Sequence, residues 1–187
     1  MAGYQKVHSF HSWNIARGLP RRTGIEDTEQ KGAKMSVEKV RDFLKQYGKD
    51  GGVMEFDVSS ATVELAAIAV GVIPARIAKS LTFYKGEKVI LLVTAGDAKV
   101  DNAKFKAEFG LKARMLTPQD AADYTGYQVG GVCPFAIENP AVEIYTDISM
   151  KRFATVVPSC GSSNSAVELT CEEIGTLSGS LKWVDVC

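Results

Sequence analysis

The sequence predicts one domain of mixed α/β class, with helices flanking a sheet that is not a doubly wound parallel array. Three observations carry that expectation. Apolar residues switch repeatedly between helical spacing and short β-type runs. A hairpin signal, "SLTFY" followed by "KVILLVTAG" and joined at Lys85-Gly86, requires antiparallel neighbours. No internal repeat and no linker interrupts the chain after residue 35.

Each element has its local signal. From Ser36, Val37, Val40, Phe43, Leu44 and Tyr47 recur at helical spacing and Gly48 ends the run. "VMEFDV" reads as a short strand. Ser60 is placed to cap a helix over "ATVELAAIAV", closed by Gly71. The hairpin follows "IPARIAK". Asp101 caps a helix through Phe109, with Gly110 behind it, and "KARML" reads as another short strand. Thr117-Pro118 opens the next helix, since proline is tolerated at a first helical position. "VEIYTD" and "ATVV" are strands, Thr170 with Glu173 makes a capping box, and "LKWVDV" is the last strand.

Composition narrows the functions. The chain has 187 residues, 45% hydrophobic and 24% charged, enough for one core, with no apolar run long enough to span a bilayer. Cys133, Cys160, Cys171 and Cys187 show no CxxC spacing, which fits a reducing, cytoplasmic setting rather than a disulfide framework. Formal net charge is zero. A protein wrapping a long nucleic acid carries a positive surplus; this one is suited to the tip of such a ligand, and no basic helix face suggests DNA. Residues 1–34 stand apart, with "RGLPRR", scattered glycines and a basic excess, and Met35 follows as a natural start. An artificial or misassigned leader, a native disordered extension and an organellar transit peptide all remain open. The domain is taken as residues 35–187.

The two histidines, His8 and His11, both lie in that leader. A Ser-His-Asp or Cys-His machine lacks its base in the domain, and a histidine-ligated zinc lacks its ligand. Neither GxGxxG nor GxxxxGK[ST] occurs. What remains is Lys79, in "ARIAKSLTF", and "GYQVGGVCPF", where glycines surround a cysteine before Pro134. Lys79 either snorkels to solvent or points its ammonium into a cleft to hold a carbonyl or phosphate oxygen; position leaves both open. A lone cation in a wet cleft contributes little to folding, so its removal is expected to leave the melting curve unchanged. The glycines offer unencumbered backbone for close approach to a ligand.

At "AKSLTF", "AGDAKVD", "TGYQVGGVCPF" and "PSCGSSNS" the sequence resembles the YbaK/EbsC family of aminoacyl-tRNA deacylases, free-standing relatives of the editing domain inserted in bacterial prolyl-tRNA synthetase. The likeness covers about residues 36–187. It implies a mixed sheet curled into a barrel-like core, and hydrolysis of mischarged aminoacyl-tRNA without metal or cofactor. Lys79 matches the family's central lysine, while Gly130, Gly131 and Pro134 match its glycine-proline loop. Ser80 and Ser159 stand where small hydroxyl residues face the ligand, and Gly161 keeps a second loop open. The glycine loop would then bring N–H groups to an ester carbonyl. Phe56, Val132 and Cys133 are expected to wall a small pocket, Cys133 as a wall thiol rather than a nucleophile. One departure is plain: where some members of that family carry Gly-Lys-Arg-Gly and then an aspartate, this chain reads "SCGSSNSAVEL", with Ala166 where that aspartate falls. The implied partners are the acceptor end of aminoacyl-tRNA and, as a second possibility, prolyl-tRNA synthetase. A non-catalytic module binding the same tRNA end is the rival reading.

Overall fold

The run Lys88–Ala95 (β3) lies at the centre of the molecule, with every residue from Val89 to Ala95 buried. Such a near-continuous apolar strand is what a sheet covered on both faces requires. Alternation divides its side chains: Leu91, Val93 and Ala95 enter one core cluster, Ile90 and Leu92 the other. The computed structural model describes residues 23–58 and 60–187, with side chains from residue 32 onward.

The remaining elements, in chain order, are α1 (Thr23–Lys45), β1 (Val53–Glu55), α2 (Val63–Val70), β2 (Ile77–Lys85), α3 (Asn102–Phe109) and α4 (Pro118–Thr125). After these come β4 (Val142–Asp147), β5 (Thr155–Pro158), β6 (Ser165–Val167), β7 (Leu169–Thr170), α5 (Cys171–Leu177) and β8 (Trp183–Val184). A six-stranded sheet runs β7-β5-β2-β3-β4-β8, and β1 pairs with β6 in a separate ribbon. The β2–β3 hairpin and the β5–β7 pair are antiparallel; β2–β5, β3–β4 and β4–β8 are parallel. The sheet curls into a half-barrel flanked by helices, the mixed α/β architecture expected from the sequence. Helix α1 covers one face through Val37, Val40 and Leu44, which meet Tyr127, Phe135 and Ile174. Helix α3 covers the other through Phe105. Helix α2 sits at the sheet's end, over Ile77, Val157 and Ala166.

Local signals located most helices. Asp101 accepts from the Ala103 and Lys104 amides, Thr117 caps α4, and Thr170 with Glu173 forms the expected capping box. Four expectations need correction. Helix α1 starts at Thr23 rather than near Ser36, because "IEDTEQKGAKM" is rich in helix formers although it lacks apolar periodicity. Residues 23–34 of the expected leader thus belong to that helix; residues 1–22 lie outside the described residues. Thr62, not Ser60, caps α2, accepting from the Leu65 amide at 3.2 Å. Ser60 Oγ instead donates to the Ser163 carbonyl at 2.9 Å. "KARML" is no strand but a single bridge, Phe83 to Met115. The last strand shortens to Trp183–Val184. Among the described residues, no helix is long and apolar enough to cross a membrane.

Candidate active site

A cavity of about 350 Å³ opens at the outer edge of β2. Its floor is Ile77–Thr82; its walls come from the start of α2, the start of α4, the Val129–Val132 loop and the Ser159–Ala166 segment. Among the described residues one charged side chain, Lys79, lines it, and no Asp, Glu, His or Cys does. The described residues therefore offer no metal-ligating set here. The lining is mostly aliphatic, with hydroxyls from Ser80, Thr82, Ser159 and Ser165 among it.

Lys79 is half-buried, and neither of its two sequence readings fits alone. Its Nζ donates to the Gly96 carbonyl at 3.0 Å and to the Ala98 carbonyl. An ammonium has three donors, so one is left for a ligand. Burial lowers its pKa from the ordinary lysine value, an effect opposed by the Cys187 thiol, Asp97 and Glu64. The expectation of a lone cation in a wet cleft is thus corrected: Lys79 ties down the turn after β3. That turn sits tightly against the Pro74–Arg76 turn. A Cβ on Gly96 would lie 2.1 Å from the Pro74 carbonyl oxygen. Sequence reasoning missed Gly96; a glycine closing an apolar strand was its available signal.

The glycine loop divides its tasks. Gly130 lines the cavity with φ +92°, a conformation that favours glycine. Gly131 does not line it: its N–H donates to the Gln128 carbonyl at 2.9 Å, closing a turn. A Cβ there would meet Ser162 Cα at 2.7 Å, so Gly131 permits contact between two loops rather than contact with a ligand. The Gly130 and Val132 amides have no hydrogen-bond partner among the described residues. Ser159 Oγ shares its proton between the Gly131 and Val132 carbonyls, at 3.2 and 3.1 Å, and locks the loop.

The structure therefore gathers Lys79, Ser80, Gly130, Val132 and Ser159 around the cavity and leaves the other expected site residues behind its wall. Cys133 is fully buried in the main core, and burial pushes its thiol up to about 12. It is a core thiol, not a pocket wall, and its burial works against the thiolate that a nucleophile needs. Pro134 is buried beside it. Phe56 is half-buried one layer down, packed on the cluster of Ile77, Val157 and Ala166 whose other side faces the cavity. Gly161, at φ +89°, lets the serine loop approach α1: a Cβ would meet the Ser36 carbonyl oxygen at 2.8 Å. For Pro134 and Gly161 the sequence signalled an unusual backbone and left unsaid whether a ligand or a neighbouring segment required it.

Comparison with known proteins matches this arrangement to one family. The profile described as "Aminoacyl-tRNA editing domain" matches residues 58–177. "Uncharacterized protein YwhH" of Bacillus subtilis (strain 168) is 52% identical over 154 residues, spanning 82% of this chain and 98% of that protein. A proline–tRNA ligase of Thermotoga maritima is 29% identical over 93 residues, which cover 49% of this chain and 16% of the ligase. Among solved structures, a "putative trans-editing enzyme for prolyl tRNA synthetase" superposes with a TM-score of 0.73. It is 28% identical, and the match covers 81% of this chain and 96% of that one. A second crystal structure, of a hypothetical protein, gives a TM-score of 0.70 at 26% identity, over 79% of this chain and 98% of that one.

Proposed function

Because the chain belongs to the aminoacyl-tRNA editing domain family, we propose that it acts in trans as a deacylase, hydrolysing the ester between a wrong, small amino acid and the acceptor end of tRNA. The observation that carries this reading is a mostly aliphatic cavity of about 350 Å³ in which one ammonium, Lys79, stands with the Gly130 and Val132 amides, which have no partner among the described residues. That volume is at the small end of ligand sites and suits an aminoacyl group with part of its adenosine.

A water oxygen attacks the ester carbonyl carbon and negative charge develops on the carbonyl oxygen. The third Lys79 donor and the two loop amides are the groups available to hold that charge. The bond from the acyl carbon to the ribose oxygen breaks, the ribose oxygen takes a proton, and the products are a free amino acid and a tRNA hydroxyl. Where the amino acid carries its own hydroxyl or thiol, that group replaces water and the acyl group leaves as a small ring. The ester is intrinsically labile, so positioning supplies much of the acceleration. The relation to the prolyl-tRNA synthetase editing domain makes mischarged tRNA for proline the first substrate to try, and that synthetase the partner to test for hand-over.

The full chain should deacylate at least one member of a broad panel of mischarged tRNAs well above the buffer rate. A panel in which no member is cleaved faster than in buffer leaves the second reading, a module that binds the aminoacyl end without turnover. The two carbonyls already occupying Lys79 favour that second reading.

A further inference from the structure

On its outer side β2 is paired at both ends and open in the middle. Ile77 and Ala78 pair with Val157 and Pro158 of β5. The next contact on that side is the Phe83–Met115 bridge, made by the Tyr84 amide donating to the Arg114 carbonyl (2.9 Å) and the Leu116 amide donating to the Thr82 carbonyl (3.0 Å). Backbone groups of alternate strand residues point to the same edge. Ser80, two residues before Thr82, therefore aims its N–H and its C=O at this outer edge. No partner for either is found among the described residues. The residues flanking the gap, Ser159 and Leu116, line the cavity, as does Ser80 itself. Ser80 also carries a buried Oγ without a partner among the described residues.

An aminoacyl ester presents its α-ammonium and its carbonyl oxygen on one Cα, as a strand residue presents N–H and C=O. Among the described residues the cavity also offers no lining carboxylate to receive that ammonium, since Ala166 and the other lining residues are uncharged apart from Lys79. We infer that the Ser80 main chain reads the α-amino acid itself: its C=O accepts from the α-ammonium and its N–H donates to the ester carbonyl, a strand addition one residue long. This rests on the deacylase reading and adds a specificity to it. The site takes esters of free α-amino acids and discriminates against N-blocked ones such as N-formylaminoacyl- or peptidyl-tRNA. The second lone pair of the carbonyl oxygen, and the third that it gains as an oxyanion, are what the Lys79 and glycine-loop donors share.

The test uses the full chain and the panel tRNA that it cleaves fastest, in three forms: free amine, N-acetylated, and deaminated to the 2-hydroxyacyl ester. Each rate is divided by the spontaneous hydroxide-driven rate of the same ester, because the ammonium also activates the ester. The normalised rate should fall about ten- to hundredfold in both altered forms, as for loss of one charged hydrogen bond. Equal normalised rates overturn the inference while leaving the deacylase reading intact. If no ester is cleaved at all, the deacylase reading fails and binding takes over as the readout. Titration with 3′-alanylamino-adenosine and its N-acetyl form should then show the same factor in Kd, and equal Kd values overturn the inference.

Discussion

Lys79 donates to the Gly96 and Ala98 carbonyls, so replacing it with alanine removes a charge and frees two acceptors at once. Hydrolysis should fall about 10²–10³-fold, the usual cost of one electrostatic contact at a developing oxyanion. Stability should fall too, by about 1–2 kcal/mol, discounted because the side chain is only half-buried. In a chain of this length that means a few degrees of melting temperature. A Lys79→Ala variant with near-normal turnover would sink the assignment. Lys79→Arg should not restore the rate, since a planar fork cannot reach two carbonyls and a ligand as a compact ammonium does. The lowered pKa of Lys79 adds a pH signature. Its charge, and the enzymatic rate over the hydroxide background, should decline at a pH below 10.5. Because the folded pKa is the lower one, the unfolded chain holds more protons between the two values, so this group's contribution to stability rises with pH in that window. Cys133 makes the opposite case. Its thiol is buried and raised to about 12, so Cys133→Ala should keep turnover within about twofold, as an inert core thiol predicts. A hundredfold loss in a folded Cys133→Ala protein would restore the nucleophile reading.

The hairpin and most helix ends were legible because their causes are local, the start of α1 and the cap of α2 excepted. Asp101, Thr117 and Thr170 lie within three residues of the amides they cap. Strands β6 and β7 were not legible: three and two residues long, they exist through partners far along the chain, such as Val53 for Val167 and Thr155 for Thr170. The same distinction governs the glycine turns. The sequence reading singled out Gly131 and passed over Gly96, and in both the reason for glycine is a neighbour distant in sequence: Ser162 for one, Pro74 for the other. Gly96→Ala should therefore destabilise the fold by about 1–3 kcal/mol, the usual cost of forcing extra volume into a packed site. It should also lower kcat, because the shifted turn carries the Gly96 and Ala98 carbonyls that hold Lys79. Thermal melting and single-turnover hydrolysis on the same sample check both. A variant with normal melting and a normal rate would mean that the turn relaxes freely and does not position the lysine.

At the scale of the molecule, the curled mixed sheet was legible as a class from alternating periods, and its curl came through resemblance alone. The path of the sheet is set by pairings between strands far apart in sequence, which periodicity does not encode. Charge acts at this scale as well. Lys/Arg and Asp/Glu are equal in number, 22 each. Many cations are already paired, including Arg41 with Glu55, Arg76 with Glu168 and Arg152 with Asp97. Little net attraction is left for a long polyanion, so the proposed function requires recognition to concentrate on the acceptor tip, with the cavity as the place for the aminoacyl end. Binding that neutralises one or two phosphates of a single-stranded end gives a slope of log(kcat/KM) against log[salt] of about −1, from roughly −0.7 per phosphate. Hydrolysis by the full chain, measured between about 50 and 200 mM salt, should accordingly weaken only several-fold. A slope steeper than about −3 would require an extended phosphate track on this surface. The tip-only picture would then give way to one in which the acceptor stem lies along the protein.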